Sequence, residues 1–211
     1  MDLKIDLETA PYGNIEDVEV KVPGNYSKPE TIAKYIEENR ESEYRKGALH
    51  GISGQIVSIA WQRQAKPIRA ITRDHSLSET ELLEQFFAEI TDYGKIQYPR
   101  FKWIGHNLLN FDLRFLKQRC WITGVRPPVH IPADARHGEW AFDTMLEWAG
   151  FRGYVSQDAL YRALDGQPYE DDGMDGSMVY DAWLAGEYDK IKAYNIRDIE
   201  KLAHNYARLT Q

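Results

Sequence analysis

Three sets of residues in the chain have types and spacings that could do chemistry. Asp6 and Glu8 stand two apart in KIDLET, Asp112 closes HNLLNFD, and Tyr194 and Asp198 stand four apart in AYNIRDIEKL. Residues i and i+2 of a strand share a face, about 7 Å apart along it. Residues i and i+4 of a helix also project side by side. Like charges on one face are unfavourable unless a cation or solvent compensates, so the question is whether folding brings these carboxylates together. Each set has an ordinary alternative. Asp6 and Glu8 could mark a strand end reaching water, and Asp112 could be a first-turn residue favoured by the helix dipole. The D-x-E pattern recurs at Asp17-Val-Glu19, and the Tyr–Asp spacing recurs at Tyr154–Asp158 and Tyr161–Asp165. Only the 194–198 pair lies inside a long, well-patterned helix.

The elements that must position these residues follow from patterning. LKIDLET alternates like a first strand of a buried sheet. Residues 12–50 form a charged excursion, including PETIAKYIEENRESEYRKGAL, read as an exposed helix. QIVSIAWQ and PIRAITR are two β-rich runs that predict a hairpin. SLSETELLEQFFAEITDYG predicts a helix opened by a Ser78–Glu81 capping box, with Leu82, Leu83, Phe86, Phe87 and Ile90 as its apolar stripe. FKWIGHN reads as a strand and FDLRFLKQRCWITG as a helix stopped by Gly124 and Pro127-Pro128, which places Asp112 at the C-terminal end of a strand, where α/β sheets bind ligands. An irregular stretch leads to short helices near 156–165 and 177–186. The last helix, to residue 209, should bury Ile191, Ile199, Leu202, Tyr206 and Leu209. The order predicts one α/β domain with a mixed sheet. The acidic run EDDGMDG, with Asp171, Asp172 and Asp175, reads as an exposed turn. The six tryptophans (61, 103, 121, 140, 148 and 183) are expected in the core or half-buried.

Composition bounds the function. A hydrophobic fraction of 43% with 6 Trp and 13 Tyr argues against disorder. A net charge of −7 argues against coating nucleic acid by bulk electrostatics, but not against engaging phosphates through bound cations. One cysteine, Cys120, allows no internal disulfide and fits a reducing compartment. The N-terminus lacks the pattern of a signal peptide and no run of about 18 apolar residues occurs, so a soluble, cytoplasmic protein with no membrane partner is expected.

Asp6-Leu-Glu8, HNLLNFD and YNIRD, in this order, resemble the motifs of the DEDD superfamily of 3′–5′ exonucleases. The tyrosine resembles the DEDDy subgroup, which includes polymerase proofreading domains and ribonuclease D. IDLET, GQIVSIAW and GHNLLNFDLRFL are most similar to the exonuclease domain of family B DNA polymerases, here as a stand-alone chain. The resemblance implies a ribonuclease H-like fold, with a mixed central sheet flanked by helices, over residues 1–211 as a single exonuclease domain, the 12–50 segment being an insertion. It implies two divalent metal ions, Mg²⁺ or Mn²⁺, held by Asp6, Glu8, Asp112 and Asp198. Hard oxygen ligands suit those ions, and two of them about 3.5–4 Å apart can promote in-line phosphodiester hydrolysis. Tyr194 would orient the attacking water. Thr9 and Asn107 would contact the terminal nucleotide, although a backbone or turn hydrogen bond serves either residue equally well. Arg114, Lys117 and Arg119 could meet phosphates or lie on a solvated helix face, and His106 reads as structural. The expected partner is a single-stranded 3′ end, DNA favoured over RNA, with DNA repair among the processes served. An exoribonuclease and a non-catalytic nucleic-acid-binding module are the alternatives.

Overall fold

A computed structural model of the chain describes residues 1–91, 100–167 and 173–211. Five strands form one mixed sheet: β1 (Asp2–Pro11), β2 (Gly54–Arg63), β3 (Arg69–Thr72), β4 (Lys102–Gly105) and β5 (Ala141–Asp143). Their order is β3-β2-β1-β4-β5, with β2 antiparallel to both its neighbours and β4 parallel to β1 and β5. The helices are α1 (Pro29–Lys46), α2 (Glu79–Thr91), α3 (Asp112–Thr123), α4 (Thr144–Ala149), α5 (Gln157–Ala163), α6 (Val179–Leu184) and α7 (Tyr188–Leu209).

Alternation along β1 divides the sheet between two layers. Leu3, Ile5 and Leu7 join Leu82, Leu83, Phe86 and Phe87 of α2 and Leu113, Phe115 and Leu116 of α3 in one cluster. On the other face Ala60, Ile104 and Phe142 pack against Ile199 and Leu202 of α7, while Ala10 and Val57 pack against Val179, Ala182 and Ile191. Each fully buried Leu, Ile or Phe contributes about 1.5–3 kcal/mol through area removed from water, so both layers hold the sheet firmly.

Local signals act where the sequence places them. Ser78 and Glu81 close the capping box at α2 through bonds of 2.8 and 3.2 Å, and Gly124 ends α3 with φ 77°. The hairpin forms as β2 and β3. Helix α1 buries none of its residues, as its charges lead one to expect. Its C-terminal Arg45 reaches Asp181 of α6 at 2.7 and 3.0 Å. Tyr206 and Leu209 of α7 are half-buried against the apolar layer. Asp175 caps a 3-10 turn in the open, whereas Asp171, Asp172 and the expected end of the second helix at 92–94 lie outside the described residues.

Three expectations need correcting. The stretch read as irregular contains β5 and α4, too short to show a period. Trp121, Trp140 and Trp148 are exposed at 71, 44 and 50%, because they sit on helix and loop positions facing away from both apolar layers. Arg119 is not a solvated helix residue. It is 2% exposed, donates to Glu79 at 2.9 and 2.6 Å and to the Gly51 carbonyl at 2.8 Å. Glu79 also accepts the Ile56 N–H at 2.8 Å, tying α2, α3 and β2 together. Breaking one side of such a pair strands a buried charge. Arg119→Met or Glu79→Gln should therefore lower unfolding free energy in urea by about 3–5 kcal/mol, with much of it recovered in Arg119→Met/Glu79→Leu. A single-variant loss below about 1 kcal/mol would show that the pair is not a clamp.

Candidate active site

Strand β1 overhangs its parallel neighbour. Only Asp2, Leu3 and Lys4 pair with β4, so Asp6 and Glu8 lie past the C-terminal end of β4, the edge at which α/β sheets bind ligands. At Glu8 and Thr9 the register with β2 slips by one residue, leaving Val57 as a bulge, a device common beside active sites. Asp6 and Glu8 share the face covered by α7. Ile191, Ile199 and Leu202 seat that helix on the sheet, and this brings Asp198 to the two strand carboxylates. Ligand atoms of Asp6, Glu8 and Asp198 all lie within 4.8 Å of one another.

Asp112 arrives from the opposite layer. It is the first residue of α3, 3% exposed, and its Oδ1 accepts the Leu7 N–H at 3.2 Å. It stands outside the 4.8 Å group but close enough for its charge to act on both Asp6 and Glu8. The turn before it is tight: a Cβ on Gly105 would meet Leu108 at 2.8 Å. Asn107 adopts φ 61°, a left-handed conformation that asparagine tolerates.

Burial and mutual repulsion dominate the electrostatics. Both Asp6 and Glu8 are pushed well above the ordinary carboxylate range, first by burial and then by the neighbouring acids. Asp112 is pushed up to about 8, again chiefly by burial. Burial also raises Asp198, opposed by Lys201 and by a hydrogen bond from Tyr194. Tyr194 is raised above the usual phenol range by burial and by Glu8, Asp198 and Asp6. It is therefore a neutral donor, and the i, i+4 geometry delivers its hydroxyl to the Asp198 carboxylate.

Several supporting residues escaped sequence reasoning. Lys201 reaches Asp198 at 3.1 Å and Asp158 at 2.5 Å. Asn195, fully buried, donates to Asp6 at 2.6 Å. Asp143, also fully buried, caps α4 through Met145 N and Leu146 N and accepts from Asn107 N and Leu109 N at 3.0 and 3.1 Å, fixing the turn ahead of Asp112. His106 bonds Thr144 and the Val155 carbonyl at 2.9 and 2.8 Å, the structural role expected of it. Of the two nucleotide-contact candidates, Thr9 donates its hydroxyl to the Ala48 carbonyl at 2.7 Å. Asn107, half-buried, accepts from Asn110 at 3.3 Å. For Asn195 a signal existed: it interrupts the buried series Ile191, Ile199 at a position where an apolar residue fits the period.

A five-stranded mixed sheet of this order, flanked by helices and carrying acids at the crevice beside its first strand, is a ribonuclease H-like exonuclease fold. The sequence model of the family described as "Predicted 3'-5' exonuclease related to the exonuclease domain of PolB" matches residues 42–209, and the chain belongs to that family. The matched span includes Asp112, Tyr194 and Asp198 and begins after β1. No curated protein matches the chain. Among solved structures, the family B DNA polymerase of the hyperthermophilic archaeon Pyrobaculum calidifontis superposes with a TM-score of 0.62 at 13% identity. That match covers 99% of this chain but spans only 24% of the polymerase. Among the described residues no helix is long and apolar enough to cross a membrane.

The raised carboxylates make the metal-free protein sensitive to pH. An acid whose folded pKa exceeds its unfolded value holds a proton that stabilises the fold at low pH, and that stability is lost as pH rises through the folded value. For Asp112 the window runs from 3.8 to about 8. Melting in EDTA should therefore fall across this range. Glu8→Gln should raise stability at pH 8 by about 1–3 kcal/mol. A pH-independent melting temperature between 5 and 8, the same in both proteins, would contradict this electrostatic account.

Proposed function

We propose that the chain is a metal-dependent 3′–5′ exonuclease of the DEDDy subgroup that removes nucleotides from single-stranded DNA ends. The observation that carries this reading is the convergence of Asp6, Glu8 and Asp198 within 4.8 Å, beside a tyrosine that donates to one of them. The group fits hard divalent cations. Its donors are all carboxylate oxygens, it holds no Cys or His, and its acids carry repulsion that a cation would relieve. Asp6, Glu8 and Asp198 would hold Mg²⁺ or Mn²⁺, with Asp112 completing the set for a second ion. When bound, such a pair supplies an activated water and charge stabilisation at the leaving oxygen.

The protein's own groups do the rest. Tyr194, kept neutral by burial and by its acidic neighbours, holds the incoming water through its hydroxyl and aligns it with the phosphorus. Its partner Asp198 is steadied by Lys201, so the phenol is aimed from a rigid helix. Asn107, pinned through its backbone to Asp143, and Thr9, next to Glu8 in sequence and pinned to Ala48, would contact the terminal nucleotide. The preference for DNA rests on membership of the polymerase-related family. We read residues 1–211 as a single exonuclease domain and 12–50, with its exposed α1, as an insertion.

The test is digestion of matched 5′-labelled single-stranded DNA and RNA with Mg²⁺, Mn²⁺ or EDTA. Wild type should give a metal-dependent ladder shortening from the 3′ end, faster on DNA, and Asp198→Ala should give none. Tyr194→Phe should fold normally yet slow cleavage by about 10²-fold or more. Faster digestion of RNA would reassign the substrate, and no cleavage with either metal would favour a binding module.

A further inference from the structure

The fully buried amide of Asn195 sits where the α7 pattern calls for an apolar side chain, and its contacts form a directed series. Asn195 Nδ2 donates to Asp6 Oδ2 at 2.6 Å and to the Asp6 carbonyl at 3.4 Å. Its Oδ1 accepts from Ser58 Oγ at 2.8 Å, and Ser58 Oγ lies 2.9 Å from Thr72 Oγ1. A hydroxyl carries one proton. Ser58 gives its proton to Asn195, so Thr72 must donate to Ser58. Every donor in the series β3 to β2 to α7 to β1 therefore points toward Asp6. Ser58 and Asn195 are both 0% exposed, and each is satisfied, as a buried polar group must be to avoid a desolvation penalty.

We propose that Asn195 is a positioning residue for Asp6: it engages Oδ2 and fixes the carboxylate plane so that Oδ1 is presented to a divalent cation, with Ser58 and Thr72 locking the amide in the orientation that does this. Without Ser58 the amide could rotate and turn its own carbonyl on the carboxylate. The inference rests on the metal-site reading above. A purely structural role, docking α7 on the sheet, would affect stability alone.

Isothermal titration with Mn²⁺ at fixed pH, paired with melting in EDTA, separates the two. Asn195→Ala should weaken Mn²⁺ binding about 10–100-fold, the usual effect of losing a partner that orients a ligand. Ser58→Ala should weaken it less, and Thr72→Val less again. Asn205 supplies the control: it is equally buried on the same helix and, among the described residues, donates to the Gln157 carbonyl, at 3.4 Å, and not to Asp6. Asn205→Ala should lower the melting temperature without changing the Mn²⁺ Kd. If wild type binds and Asn195→Ala binds as tightly, the inference fails while the metal site stands. A loss of affinity in Asn205→Ala equal to that in Asn195→Ala would also overturn it. If wild type binds no Mn²⁺, the metal reading fails and takes the inference with it. Should Asn195→Ala not fold, an unchanged Kd in Ser58→Ala overturns the proposal.

Discussion

Mutual repulsion among buried carboxylates is the constraint on which this structure turns. Asp6, Glu8 and Asp198 lie within 4.8 Å of one another, Asp112 acts on Asp6 and Glu8 from the other layer, and burial raises all four. Charges so placed cost stability unless they are protonated or neutralised. The surrounding fold can be understood as what holds that cost in place.

Two apolar layers do most of the holding. Clamped between α2 and α3 on one face and α7 on the other, β1 holds Asp6 and Glu8 beside Asp198. The overhang of β1 past β4 opens the crevice, the bulge at Val57 re-aims the strand, and Asp112 closes the gap by accepting the Leu7 N–H. Polar partners then settle two of the acids: Asn195 on Asp6, Lys201 and Tyr194 on Asp198. The buried Glu79–Arg119 pair anchors the layer from which Asp112 projects.

What the sequence made legible was local. Alternation in KIDLET placed two acids on one strand face, the capping box opened α2, and the 194–198 spacing placed a phenol beside a carboxylate. Those features depend on neighbours within a few residues. The missed ones are non-local or too short to have a period. Strand β5 is three residues long, so neither it nor the buried Asp143 could register. Arg119 looked like one more exposed cation because its partner lies 40 residues away. Three tryptophans expected to be buried at least in part are exposed, since residue type alone does not say which way a helix faces. Asn195 is the intermediate case: its misfit in the apolar stripe was visible, but its target, 189 residues earlier, was not.

The most direct measurement of the central claim is the proton release that accompanies cation binding. Carboxylates held protonated by burial and by one another must ionise to become ligands. Adding Mn²⁺ to weakly buffered protein near pH 7 should therefore release about one proton or more per chain at saturation, with the number falling as pH is raised through 8. Saturable Mn²⁺ binding with no proton released, or no binding at all, would contradict the account that these acids are strained by mutual repulsion and relieved by a metal ion.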